Sequence, residues 1–228
     1  MHYLMRSIAI CTVLLVCAPA QSSDENTCIK LGVPPLSERA QPLKTLGQMV
    51  LQSAGQCVEF LEAPVRRTEA LIRSGMLDGD LIRTKIWAEQ NADIVVFVPT
   101  PLYRDEIVAV FVKSEGQDIN SLNDLRSKRV VITGGHRWAE AQLRARGITP
   151  VMASTFGHFL EHIHFDKVDV GLMEKSALDM LGQEPNVMTK TVSPIQFHIV
   201  MRQEHAALIP KLDAAVQRVK ASFRLMQN

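Results

Sequence analysis

The stretch RVVITGGHRWAEAQL, residues 129–143, sets a β-branched run, a Gly-Gly turn and a helical pattern in succession. A strand, a tight turn at Gly134 and Gly135 and a helix opening near His136 to Trp138 leave backbone N–H groups and the positive end of a helix dipole facing outward. That is a seat for an anion. Its spacing is neither GxxxxGK[ST] nor GxGxxG, so a nucleotide phosphate is not the expected anion. Arg137 could add a bidentate contact there, with His136 or Trp138 as a wall. Alternatively, His136 and Arg137 are solvated residues of a first helical turn.

Other groupings invite catalytic readings and carry them less well. HFLEH, residues 158–162, matches the HxxEH zinc-peptidase pattern, and His164 adds a third imidazole. No distal acidic ligand can be assigned, so neither metal nor cofactor is expected. Asp78 with Asp80, and Asp166 with Asp169, could pair as general acid and base. Both pairs stand at helix-to-strand approaches, where capping and turn roles are expected. No GxSxG and no credible Ser/His/Asp spacing occurs.

The first twenty residues read as a secretory signal: one positive charge, the apolar run SIAICTVLLVC, then APA before Gln21. The run is too short for a membrane-spanning helix. A lipoprotein anchor through Cys17 fits less well, because bulky Val16 precedes it. Cleavage leaves 208 residues with 24 basic and 24 acidic side chains, a balance that offers no footprint for nucleic acid or a membrane surface. Export to a periplasm is the expected localisation. Of the cysteines, Cys28 and Cys57 remain, each at the start of an apolar β-like run. They either form a disulfide, as two neighbouring parallel strands would allow, or stay as two buried thiols.

The elements that must position these groups alternate. CIKLGV, CVEFLE, ADIVVFVPTPL and DEIVAVFVK read as strands, with helices in KTLGQMVLQSAG and RRTEALIRSG. After the polar stretch SEGQDINSLNDLRSK a second series begins: strands in RVVITGG, TPVMAS and VDVGLME, and helices in RWAEAQLRARG, FGHFLEHIHF and SALDMLGQ. TVSPIQFHIVMR reads as a long strand and AALIPKLDAAVQRVKAS as a closing amphipathic helix. This order predicts an α/β fold of two lobes, each a mostly parallel sheet flanked by helices. AVFVKSEG and KTVSPIQF are the candidate crossings, with residues 21–112 and 193–228 in lobe 1 and 113–192 in lobe 2.

The order of elements, with LIRSGMLDGDLIR, DINSLNDLRSKRVVITGG, FDKVDVGLMEKSAL and the tail FHIVMRQEHAALIPKLDAAVQRVKAS, resembles the type II periplasmic solute-binding proteins, specifically the family that includes polar amino-acid binders. The resemblance covers nearly the whole mature chain and lies in order and spacing. It implies that the Gly135 seat receives a carboxylate or similar anion from a ligand held between the lobes. It also implies that Glu174, just after VDVGLM, receives a ligand ammonium; otherwise Glu174 is an N-terminal helix residue facing the dipole. The sequence departs from the family in the first lobe. Within RTKIWAEQNADIVV no Arg stands at the family's usual later place, so Arg83 would have to replace it. The loop GVPPLSERAQPL lacks the usual stacking aromatic, for which Trp87 or Tyr103 could substitute, though such residues are more often packing residues.

The reading that follows is a monomeric binding protein. Its lobes close on a small polar, anionic or zwitterionic, amino-acid-like solute, and the closed form is read by an ABC permease or a membrane sensor. Two rivals stand beside it. One is a dehydratase of prephenate-like or arogenate-like acids on the same fold, with Glu174 as general acid and Arg83 and Arg137 holding carboxylates. The other is a degenerate lobe pair acting as an interaction module that binds no small molecule.

Overall fold

The structure, a computed structural model, describes residues 28–34, 41–112, 118–182 and 186–226. The expected signal segment, residues 1–20, lies outside the described residues, as do residues 35–40 of the first loop and 113–117 of one expected crossing. The first series runs β1 (Ile29–Val33), α1 (Gln41–Ser53), β2 (Val58–Glu62), α2 (Val65–Arg73), β3 (Gly79–Thr84), α3 (Lys85–Gln90), β4 (Val95–Phe97). A long strand β5 (Tyr103–Val112) leads out of it. The second series runs β6 (Val130–Thr133), α4 (Arg137–Arg144), β7 (Val151–Ala153), α5 (Phe156–His164), β8 (Val170–Glu174), α6 (Lys175–Leu181). Strand β9 (Val187–Arg202) returns, and after a 3-10 turn α7 (Ile209–Met226) closes the chain.

The strand order is β2-β1-β3-β9-β5-β8-β6-β7, with β4 added on β9. Strand β1 is parallel to β2 and β3, and β6 is parallel to β7 and β8. The two parallel sets are joined through β5 and β9, which run antiparallel from Tyr103 opposite Phe197 to Val112 opposite Val187. Two sets of apolar cores result. One packs Leu31, Val50, Leu81 and Ile199 against Leu212 and Val216 of α7. The other packs Ile107 and Phe111 with Ile132, Leu143 and Leu172 on one face, and Val131, Phe159 and Met173 on the other. Strand β5 enters the second core from Ile107 onward, and the ribbon shifts register between Ile107 and Val108, opposite Ser193 and Thr191. Such a bulge bends a strand pair.

Two local readings change. ADIVVFVPTPL forms a strand only over Val95–Phe97, because Pro99 and Pro101 remove the N–H groups a longer ladder needs. KIWAEQ, in a stretch where no helix was expected, forms α3, whose first turn is capped by Thr84: its hydroxyl accepts from the Trp87 N–H at 3.4 Å. His158 Nδ1 lies 2.7 Å from Ser154 Oγ, and among the described residues no metal-binding group includes the three histidines. Asp166 and Asp169 both clamp Arg129, and Asp78 accepts from the Lys30 N–H at 2.7 Å. These carboxylates tie turns to strands.

Candidate functional site

Strands β1, β3, β6 and β8 end on one side of their parallel sets, the edge where open α/β sheets bind ligands. Their last residues or immediate successors, Pro34, Thr84, Thr133 and Glu174, line a cavity of about 1050 Å³. All seven residues picked from the sequence line it as well: Arg83, Tyr103, Gly135, His136, Arg137, Trp138 and Glu174. The volume stands just above the range of roughly 300–1,000 Å³ common for small-molecule sites. Most of the wall is apolar, from Ile82 and Ile195 to Phe156, Phe197 and Met173.

Arg83 is buried near the end of β3, and its guanidinium is already held. Nε donates to Asp80 Oδ2 at 2.8 Å, one terminal nitrogen to Glu69 Oε1 at 3.3 Å, and the other to the Val65 carbonyl at 3.0 Å and to Thr68 Oγ1. Its far face stacks over the Trp87 ring, 4.5 Å from the centroid. Trp87 therefore packs under an arginine. Burial pushes the Asp80 carboxyl up to about 6, against the opposing pull of Arg83, Thr68 and the Ile82 N–H.

The second-series wall starts from the Gly-Gly turn. Gly135 has φ +90°, a conformation that favours glycine. His136 is the N-cap of α4 and its Nδ1 accepts from the Ala139 N–H at 3.3 Å. The imidazole thus occupies part of the seat that the sequence offers to an external anion, while the Trp138 N–H has no acceptor among the described residues. Because Nδ1 accepts, the ring proton sits on Nε2. That atom is buried without a hydrogen-bond partner among the described residues, 3.4 Å from Glu174 Oε2. Arg137 reaches across to the first series and meets Glu69 Oε2 at 3.3 Å, with Glu140 at 3.5 Å on its own helix. Glu69 therefore bridges Arg83 and Arg137, one from each side of the cavity.

Glu174 occupies the N-cap position of α6, yet its side chain makes no capping bond. Asp105 does that work from β5: it accepts from the Ser176 hydroxyl at 2.6 Å and from the Ser176 N–H at 3.4 Å. Glu174 is left with His136 as its one polar neighbour among the described residues, its side chain 26% exposed. Tyr103 lies over Phe197 with ring centroids 6.2 Å apart, and burial raises its phenol. Sequence reading missed Glu69 and Thr68, whose side-chain partners lie 12 to 68 residues away. Pairing that distant leaves no local signal.

No protein-family model matches this sequence, and no curated relative does. Solved structures do. An amino acid ABC transporter substrate-binding protein, AbpA from Streptococcus pneumoniae, bound to L-arginine, superposes with a TM-score of 0.66 at 17% identity, covering 87% of this chain and 92% of that one. An ancestral arginine-binding protein bound to arginine gives 0.65 at 19%, over 85% and 92%. The holo arginine-binding protein of T. maritima gives 0.64 at 16%, over 84% and 90%. The chain has the two-lobed α/β fold of the periplasmic solute-binding proteins, as the order of its elements predicts.

Proposed function

We propose that this chain is an exported solute-binding protein, cleaved after Ala20, whose lobes close on one small molecule and whose closed form engages an ABC permease or membrane sensor. The observation that carries this reading is one cavity lined from both parallel sets, at the carboxyl ends of four strands, with Glu69 of the first series meeting Arg137 of the second beside it. Lobe boundaries at 112/113 and 192/193 belong to the same reading, with motion taken up where the β5–β9 ribbon bulges. The structures it resembles are amino-acid binders by their names, which supports a nitrogen-bearing organic solute. An anionic ligand is less well served, since both arginines already face carboxylates.

The experiment is melting of the mature chain against amino acids, amines, polyamines, dicarboxylates and cyclohexadienyl acids, with lobe separation followed by small-angle scattering. A ligand at 100 times its Kd adds about 2.7 kcal/mol, which raises Tm by roughly 5–10 °C for a chain of this length. Glu174→Ala should abolish that rise while melting near the parent temperature. Turnover of a cyclohexadienyl acid would move the assignment to a dehydratase. A panel that leaves both Tm and lobe separation unchanged would overturn solute capture.

A further inference from the structure

Resting on the solute-binding reading, we infer that the ligand is a cationic amine with an apolar body, held by Glu174 at its ammonium end and requiring no carboxylate. Each arginine that could receive a carboxylate is neutralised inside the protein: Arg83 by Asp80 and Glu69, Arg137 by Glu69 and Glu140. Drawing either toward an anion would strip a carboxylate of its partner at low solvent exposure, at a cost that a single new ion pair does not recover. The backbone seat at α4 is no better placed for an anion. His136 fills part of it, and Glu174 lies 3.4 Å from the same ring, so an anion there would face a like charge.

Glu174 has the opposite need. It is a carboxylate on a mostly apolar wall, it accepts no hydrogen bond from any described residue, and its capping task is done by Asp105. A carboxylate so placed is costly until a cation meets it. The imidazole beside it, buried with its Nε2 proton unpartnered, marks the same spot as incomplete without a bound group. Trp138, Phe156, Phe197 and Tyr103 supply the complementary surface. They are apolar enough to cover a hydrocarbon or aromatic body, and their ring faces favour a nearby ammonium.

Three probes with one phenyl body separate the classes: 2-phenylethylamine, L-phenylalanine and 3-phenylpropionate. Both tryptophans of the chain, Trp87 and Trp138, line the cavity, so intrinsic fluorescence reports binding and scattering reports closure. The amine should bind and close the lobes at least 10-fold more tightly than the zwitterion, and the acid should not bind. Glu174→Gln should weaken the amine by about 10- to 100-fold, the range for a hydrogen bond to a charged group, with Tm in the absence of probe unchanged. If the zwitterion or the acid closes the lobes as tightly as the amine, the amine assignment is overturned and solute capture stands. Should the amine bind Glu174→Gln and the parent equally, Glu174 is not its partner and the inference falls. If none of the three closes the lobes, while a polyamine or dicarboxylate does, the apolar-bodied amine is wrong and capture is still correct.

Discussion

Arg83→Met is expected to destabilise the protein by about 3–5 kcal/mol, because it leaves Asp80 buried without its cation. Thr68 and the Ile82 N–H still donate to Asp80, which holds the loss within that range. Adding Asp80→Leu to the same chain should recover a large part, since a buried pair replaced by apolar side chains is often neutral. The pH dependence is a sharper check. Burial raises the Asp80 carboxyl to about 6, above its unfolded value of 3.8. A raised carboxyl contributes stability that is fully present below about pH 4 and is lost as pH climbs through 6. Removing Arg83 strips the largest opposing influence and lifts Asp80 further. The cost of Arg83→Met should therefore be smaller at pH 5 than at pH 8, and urea unfolding of parent and variant at both values reads the difference. Burial, with Lys85, Arg104 and Lys220 nearby, holds the His198 imidazole below its usual value. A cost independent of pH and below 1 kcal/mol would show that Arg83 is not held as the structure has it.

That expectation also marks where sequence reading stops. Arg83, Arg137 and Glu174 were legible as cleft residues because strand ends in an alternating β-α order point one way, and the Gly134–Gly135 turn announces a helix start. What each of them touches was not legible. Glu69 stands in RRTEALIR as one charged residue among several on an amphipathic helix, and only the fold brings it between two arginines. His136 reads as a first-turn residue, yet its ring folds back onto the Ala139 N–H and takes part of the anion seat. The shift of the expected ligand from anion toward cation comes from these contacts, near and distant in sequence, and from the Glu174 carboxylate they leave without a hydrogen bond among the described residues. Strand and helix positions survive because they depend on local periodicity. The miss at α3 has a local cause, since six residues are too few for a helical period to stand out in KIWAEQ.

Loss of the disulfide between Cys28 and Cys57 is the second large effect expected. The two residues are 29 apart in sequence with Cα atoms 4.7 Å apart, and the Ile29 N–H donates to the Cys57 carbonyl at 3.0 Å, so the bond pins the starts of β1 and β2 in register. A loop of that length constrains the unfolded chain by about 3–4 kcal/mol. Cys57→Ser, or reduction of the parent chain, should lower Tm by roughly 10 °C. Ligand affinity should hardly move, because the cavity takes the other end of β1, at Pro34. A strand of five residues separates the two ends by roughly 17 Å. The same bond tests export. A chain made without residues 1–20 stays in a reducing compartment, where its thiols remain free. It should melt at the temperature of the Cys57→Ser variant until it is oxidised, whereas the full chain recovered from the periplasm should resist thiol labelling and melt at the higher value. Full labelling of Cys28 and Cys57 in the periplasmic protein would remove both the cross-link and this support for export. A fall in affinity alongside Tm would mean that the register of β1 is felt at the cavity.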